Sequence, residues 1–438
     1  MNTLLEQNHH SPEIMSSPRI LISGSGIAGS TFAYWVLRAF PTASITMVER
    51  CPTFRLTGSS VDLRSSAVEI CERMNMLGTV KDHTTTEQGM RFVNSDGSIV
   101  ATLGASGRSD VQVLTSEYEI FRSDLARIIL EPSKDKINIL FDDYVQRYDN
   151  EADGVKVTFT KSKRVDKFDL LIAADGVGSR IRGQMLNSDP REQVHDEGVH
   201  VAYFTQKADL LNGSKFAEGY SAPGGRVIMI RPDPHPEGRS KVILMNVTTK
   251  NDVATKKRLN EAVEAGNEAY MALLEETFTG MGYKAAEVLK GMRESDDFYC
   301  SLFAQVRSPK LVDQSGRVVL LGDAGYATPG IGTSLAMIGA YVLAGELMSS
   351  KSGTSIDIPA AASRYQDLML PFVKSHQGDD NAMQMMNPQT GWGIKLRDLA
   401  LKVVTGLRLD RLAIVGAAKL GFTDKMLSMP EYSWPESA

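Results

Sequence analysis

The amino-acid sequence predicts an α/β protein in which a helix-flanked parallel sheet is interleaved with a mostly antiparallel sheet and followed by C-terminal helices. Three observations carry this. Apolar runs at 20–23, 168–173 and 316–321 each end in a glycine-bearing turn, the texture of strands covered on both faces by helices. Residues 199–249 change to alternating strands at 199–204, 226–231 and 241–247, divided by the turn-rich stretch 232–240. From 334 onward helical periodicity returns, over 334–348, 361–374 and 395–419.

The first run opens the chain's most informative stretch. Ile20 to Ser23 is followed by Gly24, Gly26 and Gly29, spaced Gly-x-Gly-x-x-Gly. The first glycine permits a tight turn, the second lets backbone approach a pyrophosphate, and the third lets helix pack on strand. Helical patterning runs from Ile27 to about Phe40, so the N–H groups of Ile27 and Ala28 and the positive dipole end face whatever anion sits there. A second strand, 44–48, stops at Glu49, 20 residues after Gly29. That is the distance of a carboxylate accepting from a ribose 2′-hydroxyl, and its charge would repel a 2′-phosphate. The reading is a bound dinucleotide with an unphosphorylated adenosine ribose, FAD or NAD.

Composition excludes several classes. With 438 residues, 42% hydrophobic and 23% charged, the chain is ordinary and globular, long enough for two or three interleaved subdomains. A net charge of −5 without a basic stripe excludes a nucleic-acid partner. Cys51, Cys71 and Cys300 are scattered and odd in number, which suits small apolar fillers in a reducing, cytoplasmic compartment. Residues 1–17 are polar, with no signal-peptide core, and read as a disordered arm. The apolar stretch 412–422 is too short to span a bilayer, so no integral membrane segment is expected, although a surface-lying helix fits there. His83, His195, His200, His235 and His376 show no ligand spacing, and no metal site is expected.

Along the chain, a helix from Ser66 to Leu77 is expected to close at a C-cap Gly78. Strands 91–93 and 98–102 flank a hairpin turn at Asp96-Gly97. In the helical stretch 119–131, Ser123 is the N-cap candidate and Arg122 stands just before the helix. Strands follow at 137–141, 155–159 and 168–173, the last ending in Asp175-Gly176. This second glycine turn points to the same sheet edge as the first. A single helical pattern covers 260–278, and a third buried strand ends in Gly322-Asp323.

The three strand-end motifs together resemble the single-component FAD-dependent aromatic hydroxylases of the p-hydroxybenzoate hydroxylase fold, over about residues 19–350. Within them the chain looks most like the branch of tetracycline-inactivating and natural-product tailoring monooxygenases. The motifs are the glycine triplet with Glu49, the DG motif Asp175-Gly176-x-x-Ser179-x-x-Arg182, and Gly322-Asp323. The resemblance implies a Rossmann-like FAD-binding domain over 18–190, with inserted strands about 88–115. A substrate domain follows over 191–300, then a return to the FAD domain over 301–350 and a helical segment over 351–438. It further implies that Asp175 serves FAD and the nicotinamide cofactor, that Asp323 accepts from the ribityl chain, and that Arg122 approaches FAD. Residues 58–64 resemble the loop covering the isoalloxazine.

The family's usual Ala-Ala-His after the aspartate is here Ala324-Gly325-Tyr326, and the following loop is shorter, without its Gln and Asn. Gly330, Gly332 and Thr333 still precede a helix, so N–H groups and a dipole would face the flavin N1 and C2 carbonyl. The implied activity is a monooxygenase in which NADPH or NADH reduces FAD and O₂ forms a C4a-hydroperoxide. One oxygen then passes to an electron-rich aromatic, indole or polyketide-like molecule, by hydroxylation or epoxidation. Tyr203, Arg226, Met229 and Met245 are pocket candidates on the antiparallel sheet, and packing roles suit each equally well. A monomer or weak homodimer is expected. The alternatives are an FAD-dependent halogenase or reductase, or a flavin-binding protein without turnover. No Trp-x-Trp-x-Ile-Pro sequence supports halogenation.

Overall fold

The structure, a computed structural model, describes residues 17–54, 60–64, 66–85, 87–104, 118–235, 237–353, 355–378, 382–407 and 428–435. A five-stranded sheet forms one layer, in the order Val318–Leu320, Leu170–Ala173, Arg19–Ser23, Ser44–Glu49, Ile137–Phe141. Every pairing in it is parallel, with Ile22 opposite Met47 on one side and Ile172 on the other. All three glycine turns therefore leave the same edge. Leu21, Ile22, Ile172 and Val319 are fully or almost fully buried, as the two-sided helical cover requires. Helices Ile27–Ala39 and Gly332–Ser349 supply much of that cover, and nearly all of the latter is buried.

The second layer is a seven-stranded sheet, in the order Tyr299–Val306, Val194–Gln206, Arg239–Val247, Arg226–Asp233, Phe216–Ala222, Gly89–Val93, Ile99–Gly104. It is antiparallel except where Phe216–Ala222 runs parallel to Gly89–Val93. The strands expected as an insertion about 88–115 thus pair into this antiparallel sheet, and so does Tyr299–Val306, because tertiary pairing decides which sheet an edge strand joins. One face of this sheet packs Phe204, Ile228, Ile230 and Leu244 against Leu259, Tyr270, Leu274 and Val288 of the helices at 253–294. The opposite face carries Val201, Val227 and Met245.

Several local expectations are corrected. Gly78 does not cap a helix: the helix Ser66–Arg73 ends earlier, Asn75 takes the left-handed conformation at φ 56°, and Gly78 lies inside the next helix, Leu77–Asp82. The helical pattern at 260–278 is two helices, Val253–Ala265 and Asn267–Phe278, parted at Gly266 with φ 103°. The helix at 119–131 begins at Arg122 itself, since 119–121 pair as a strand with Ser60–Asp62, so Ser123 is no cap. The last described helix is Gly391–Gly406. The expected arm at 1–17, all but its last residue, and the stretch 412–422 lie outside the described residues, as do 58 and 59 of the covering loop. Among the described residues no helix is long and apolar enough to cross a membrane.

Candidate functional site

The three glycines of the first turn have different surroundings. Gly24 has φ +111°, and a Cβ on it would lie 2.3 Å from the Ala174 carbonyl oxygen, so close passage to the second motif requires glycine there. A Cβ on Gly29 would lie 2.1 Å from the Gly24 carbonyl oxygen. Around Gly26 nothing lies within 4 Å of that position. Gly26 is also the N-cap of the helix Ile27–Ala39, and no side chain caps it. An uncapped helix start beside open space at Gly26 is an arrangement suited to an anion.

Glu49 is buried at the next strand end. Its Oε2 accepts from the Ser25 N–H at 3.1 Å and the Ser25 hydroxyl at 2.8 Å, and Oε1 accepts from the Cys51 N–H at 3.0 Å. Burial pushes this carboxyl up, but the Cys51 and Ser25 donors outweigh it and hold its pKa below the ordinary glutamate value. Glu49 is therefore anionic. Ser25, the residue between two motif glycines, is the partner that the spacing rule does not include.

In the second motif Ser179 caps the helix Arg180–Leu186 by accepting from the Arg182 N–H at 3.1 Å. Arg182 is fully buried and donates to the carbonyls of Ala324 and Val177, each at 2.7 Å, and to Pro190. It clips the second motif to the third. Asp175 Oδ1 is buried without a hydrogen-bond partner among the described residues. Burial raises the Asp175 pKa, against the opposing pull of Ser179 and Arg182.

Asp323 opens the short helix Asp323–Tyr326, and a Cβ on Gly332 would lie 3.4 Å from its Oδ1. Its carboxylate therefore sits at the start of the helix Gly332–Ser349, which also lacks a side-chain cap. Arg122 reaches the same place: Nη2 lies 4.0 Å from Asp323 Oδ2. Arg64 donates its N–H to Ser334 Oγ at 2.9 Å, fixing the end of the expected covering loop over that helix start. Tyr326, where the resemblance leads one to expect histidine, points into the core. It is 1% exposed, its hydroxyl is 3.1 Å from that of Tyr365, and Tyr365 donates to the Leu320 carbonyl at 2.9 Å.

The four pocket candidates separate. Tyr203 and Met229 lie opposite Ile243 from its two sides, and Tyr299 lies opposite Tyr203, so Tyr299, Tyr203, Ile243 and Met229 form one half-exposed row across four strands. The Tyr203 and Tyr299 rings stack, with centroids 4.9 Å apart. Met245 shares that face but is core. Arg226 belongs to the other face, donating to the Thr277 carbonyl at 2.7 Å and the Pro223 carbonyl at 3.0 Å. Strand phase decides this, because Arg226 is an odd number of residues from Met229.

A recess opens between the row and the strand pair Ser60–Asp62/Glu119–Phe121, lined by Phe121, Tyr203, Arg231, Lys241, Asp297 and Tyr299. Of its lining residues, Phe121 immediately precedes Arg122 in the chain. Arg231 lines it, its side chain 14% exposed and paired with Glu87 at 2.9 Å and with Glu119. Burial alone would lower its pKa, and the two carboxylates overcome that and raise it. Sequence reasoning missed Arg231, although its position two residues beyond Met229 puts it on the same sheet face.

Comparison with known proteins now decides the family. The chain is 31% identical over 420 residues to the FAD-dependent monooxygenase asL4 of Sarocladium schorii, covering 90% of this chain and 94% of that protein. The chain belongs to the FAD-dependent monooxygenases. It is also 30% identical over 439 residues to the monooxygenase CTB7 of Cercospora beticola, across 96% of this chain and 98% of that one. Among solved structures, the tetracycline destructase Tet(51) superposes with a TM-score of 0.71 at 25% identity, covering 95% of this chain and 99% of that chain. No family model matches the sequence. This monooxygenase is an oxidoreductase that depends on FAD, with the parallel sheet and antiparallel sheet expected of it.

Proposed function

We propose that FAD lies along the shared edge of the parallel sheet, held by Gly24, Gly26, Ile27, Ala28, Gly29, Glu49, Arg122, Asp175, Asp323, Gly332 and Thr333. We further propose that the enzyme uses NADPH or NADH to hydroxylate or epoxidise an electron-rich phenol, indole or enolised polyketide in secondary metabolism. The observation that carries this placement is the meeting of Arg122 and Asp323, 4.0 Å apart, beside an uncapped helix start.

The residues fit the cofactor in kind. Open space over Gly26 suits a pyrophosphate, anionic Glu49 suits a ribose without a 2′-phosphate, and the unpartnered Asp175 Oδ1 suits a hydroxyl or amide donor. FAD, when bound, supplies the electron transfer and oxygen activation. The chain supplies position. Arg122 and the N–H groups of Gly332 and Thr333 offer positive charge where a ring system can become anionic. Asp323 offers acceptors, and the half-exposed row from Tyr299 to Met229 offers a flat apolar face to a substrate.

The parallel sheet then acts as the cofactor unit and the seven-stranded sheet as the substrate unit. O₂ and the substrate are the small-molecule partners. The reading includes a monomer or weak homodimer, and a cytoplasmic setting agrees with Cys51, Cys71 and Cys300 forming no disulfide among the described residues. The test is stopped-flow absorbance of purified holoenzyme mixed with NADPH or NADH, then with oxygenated buffer, in the presence of phenols and indoles. Faster flavin bleaching with one compound supports the reading and identifies the substrate class. Flavin that stays oxidised with both nicotinamides across the panel overturns the electron source.

A further inference from the structure

The helix Gly391–Gly406 is apolar on two opposite faces. One is used: Leu401 packs against the cluster of Met90, Phe92 and Val100, and Arg397 donates to Ser221 Oγ and the Met386 carbonyl at 2.8 Å each. The other lies open. Trp392, Leu396, Leu399 and Val403 are 71%, 58%, 59% and 47% exposed, and Leu407 just beyond is 65% exposed. Their spacing of four, three, four and four residues puts them in one stripe about 20 Å long.

The charges beside that stripe have one sign. Lys395 and Lys402 are exposed and, at 100° per residue, both flank it on the same side. The only carboxylate of this helix, Asp398, is paired with Arg397 at 2.7 Å and largely covered. Neither lysine has an acidic partner among the described residues, in a chain whose net charge is −5.

We propose that this helix is a lipid-facing surface that rests the enzyme on an anionic bilayer, with the apolar stripe in the headgroup boundary and both lysines on acidic headgroups. A tryptophan at one end of an apolar stripe edged by lysines is the pattern of a helix lying in the interface plane. A second copy of the chain fits poorly, because like-charged lysines would meet across a two-fold axis and one narrow stripe is far smaller than a stable dimer interface. The helix is seated on the substrate sheet beside the strand Ile99–Gly104, so docking would hold that sheet at the membrane, where apolar substrates concentrate.

Vesicle co-sedimentation of FAD-loaded full-length enzyme tests this. Binding is expected to phosphatidylcholine vesicles containing phosphatidylglycerol, with roughly fivefold weakening for each of Lys395→Glu and Lys402→Glu and further weakening in high salt. Leu396→Asp with Leu399→Asp should abolish binding while flavin content and melting temperature stay those of the wild type, because neither side chain is buried. Three results would overturn the proposal. One is equal binding by the double aspartate variant. Another is no vesicle binding by the wild type. The third is light scattering that shows a dimer dissolved by the same two substitutions.

Discussion

Arg122 Nη2 lies 4.0 Å from Asp323 Oδ2, joining the start of one helix to the end of a strand far along the chain. As an ion pair it stabilises little, because the two side chains are 53% and 32% exposed and such pairs contribute about 0–1 kcal/mol. Its significance is positional. The pair stands at the uncapped start of Gly332–Ser349.

The first two glycines should separate folding from cofactor binding. Gly26→Val places its side chain in open space, so the apoprotein should melt as the wild type does yet purify colourless. Gly24→Ala meets the Ala174 carbonyl at a left-handed φ and should lose about 2 kcal/mol or more of stability. Thermal melts of apoprotein, read beside flavin absorbance, check both.

Tyr326→Phe should cost about 1 kcal/mol through the lost hydrogen bond to Tyr365. Flavin absorbance and reduction rate should not change, because the hydroxyl faces the core. An altered flavin spectrum would mean the side chain turns toward the cofactor.

Arg231→Met leaves Glu87 and Glu119 buried without their shared cation, and removing one partner of such a group costs about 3–5 kcal/mol. Burial already raises the Glu87 pKa against the pull of Arg231. Without Arg231 the folded-state pKa rises further, so the stability deficit should grow as pH rises through it and shrink toward pH ~4, where unfolded carboxyls are protonated too. Urea melts across that range read the sign directly.

Asp175→Asn should show a related pH signature with the opposite sense. The folded-state pKa of Asp175 is raised by burial, so the native state holds a proton that the unfolded chain releases. Its stabilising contribution is complete below the unfolded pKa of about 3.9 and is lost as pH rises through the folded value. The asparagine variant should therefore gain apoprotein stability relative to wild type as pH rises to 8, while binding FAD more weakly. Paired apoprotein melts at low and high pH, with a flavin titration, check both arms.

Backbone-dictated features were legible in the sequence. Gly24, Gly29 and Glu49 are set by close approach and strand-end position, and Asp175 and Asp323 by the same edge of one parallel sheet. Features made by pairing across distance were not. Arg231 acquires its role only when Glu87 and Glu119 come to it from distant parts of the chain, and Gly89–Val93 joins the seven-stranded sheet through a parallel pairing that no local pattern encodes. For Arg226, open between pocket and packing roles, strand phase favours packing, since it lies on the helix-covered face. Gly78 failed as a cap because Asn75 had already taken the left-handed turn.

The most direct test of the cofactor placement is FAD titration of apoprotein from wild type, Arg122→Met, Asp323→Asn and the double variant, followed by flavin fluorescence. Each single substitution should weaken binding by about tenfold, the scale of one charge-assisted hydrogen bond, with melting temperatures nearly unchanged. The double variant should fall short of the product of the two effects, because the residues share one ligand region. Wild-type affinity in all three variants would contradict the placement of FAD at this junction.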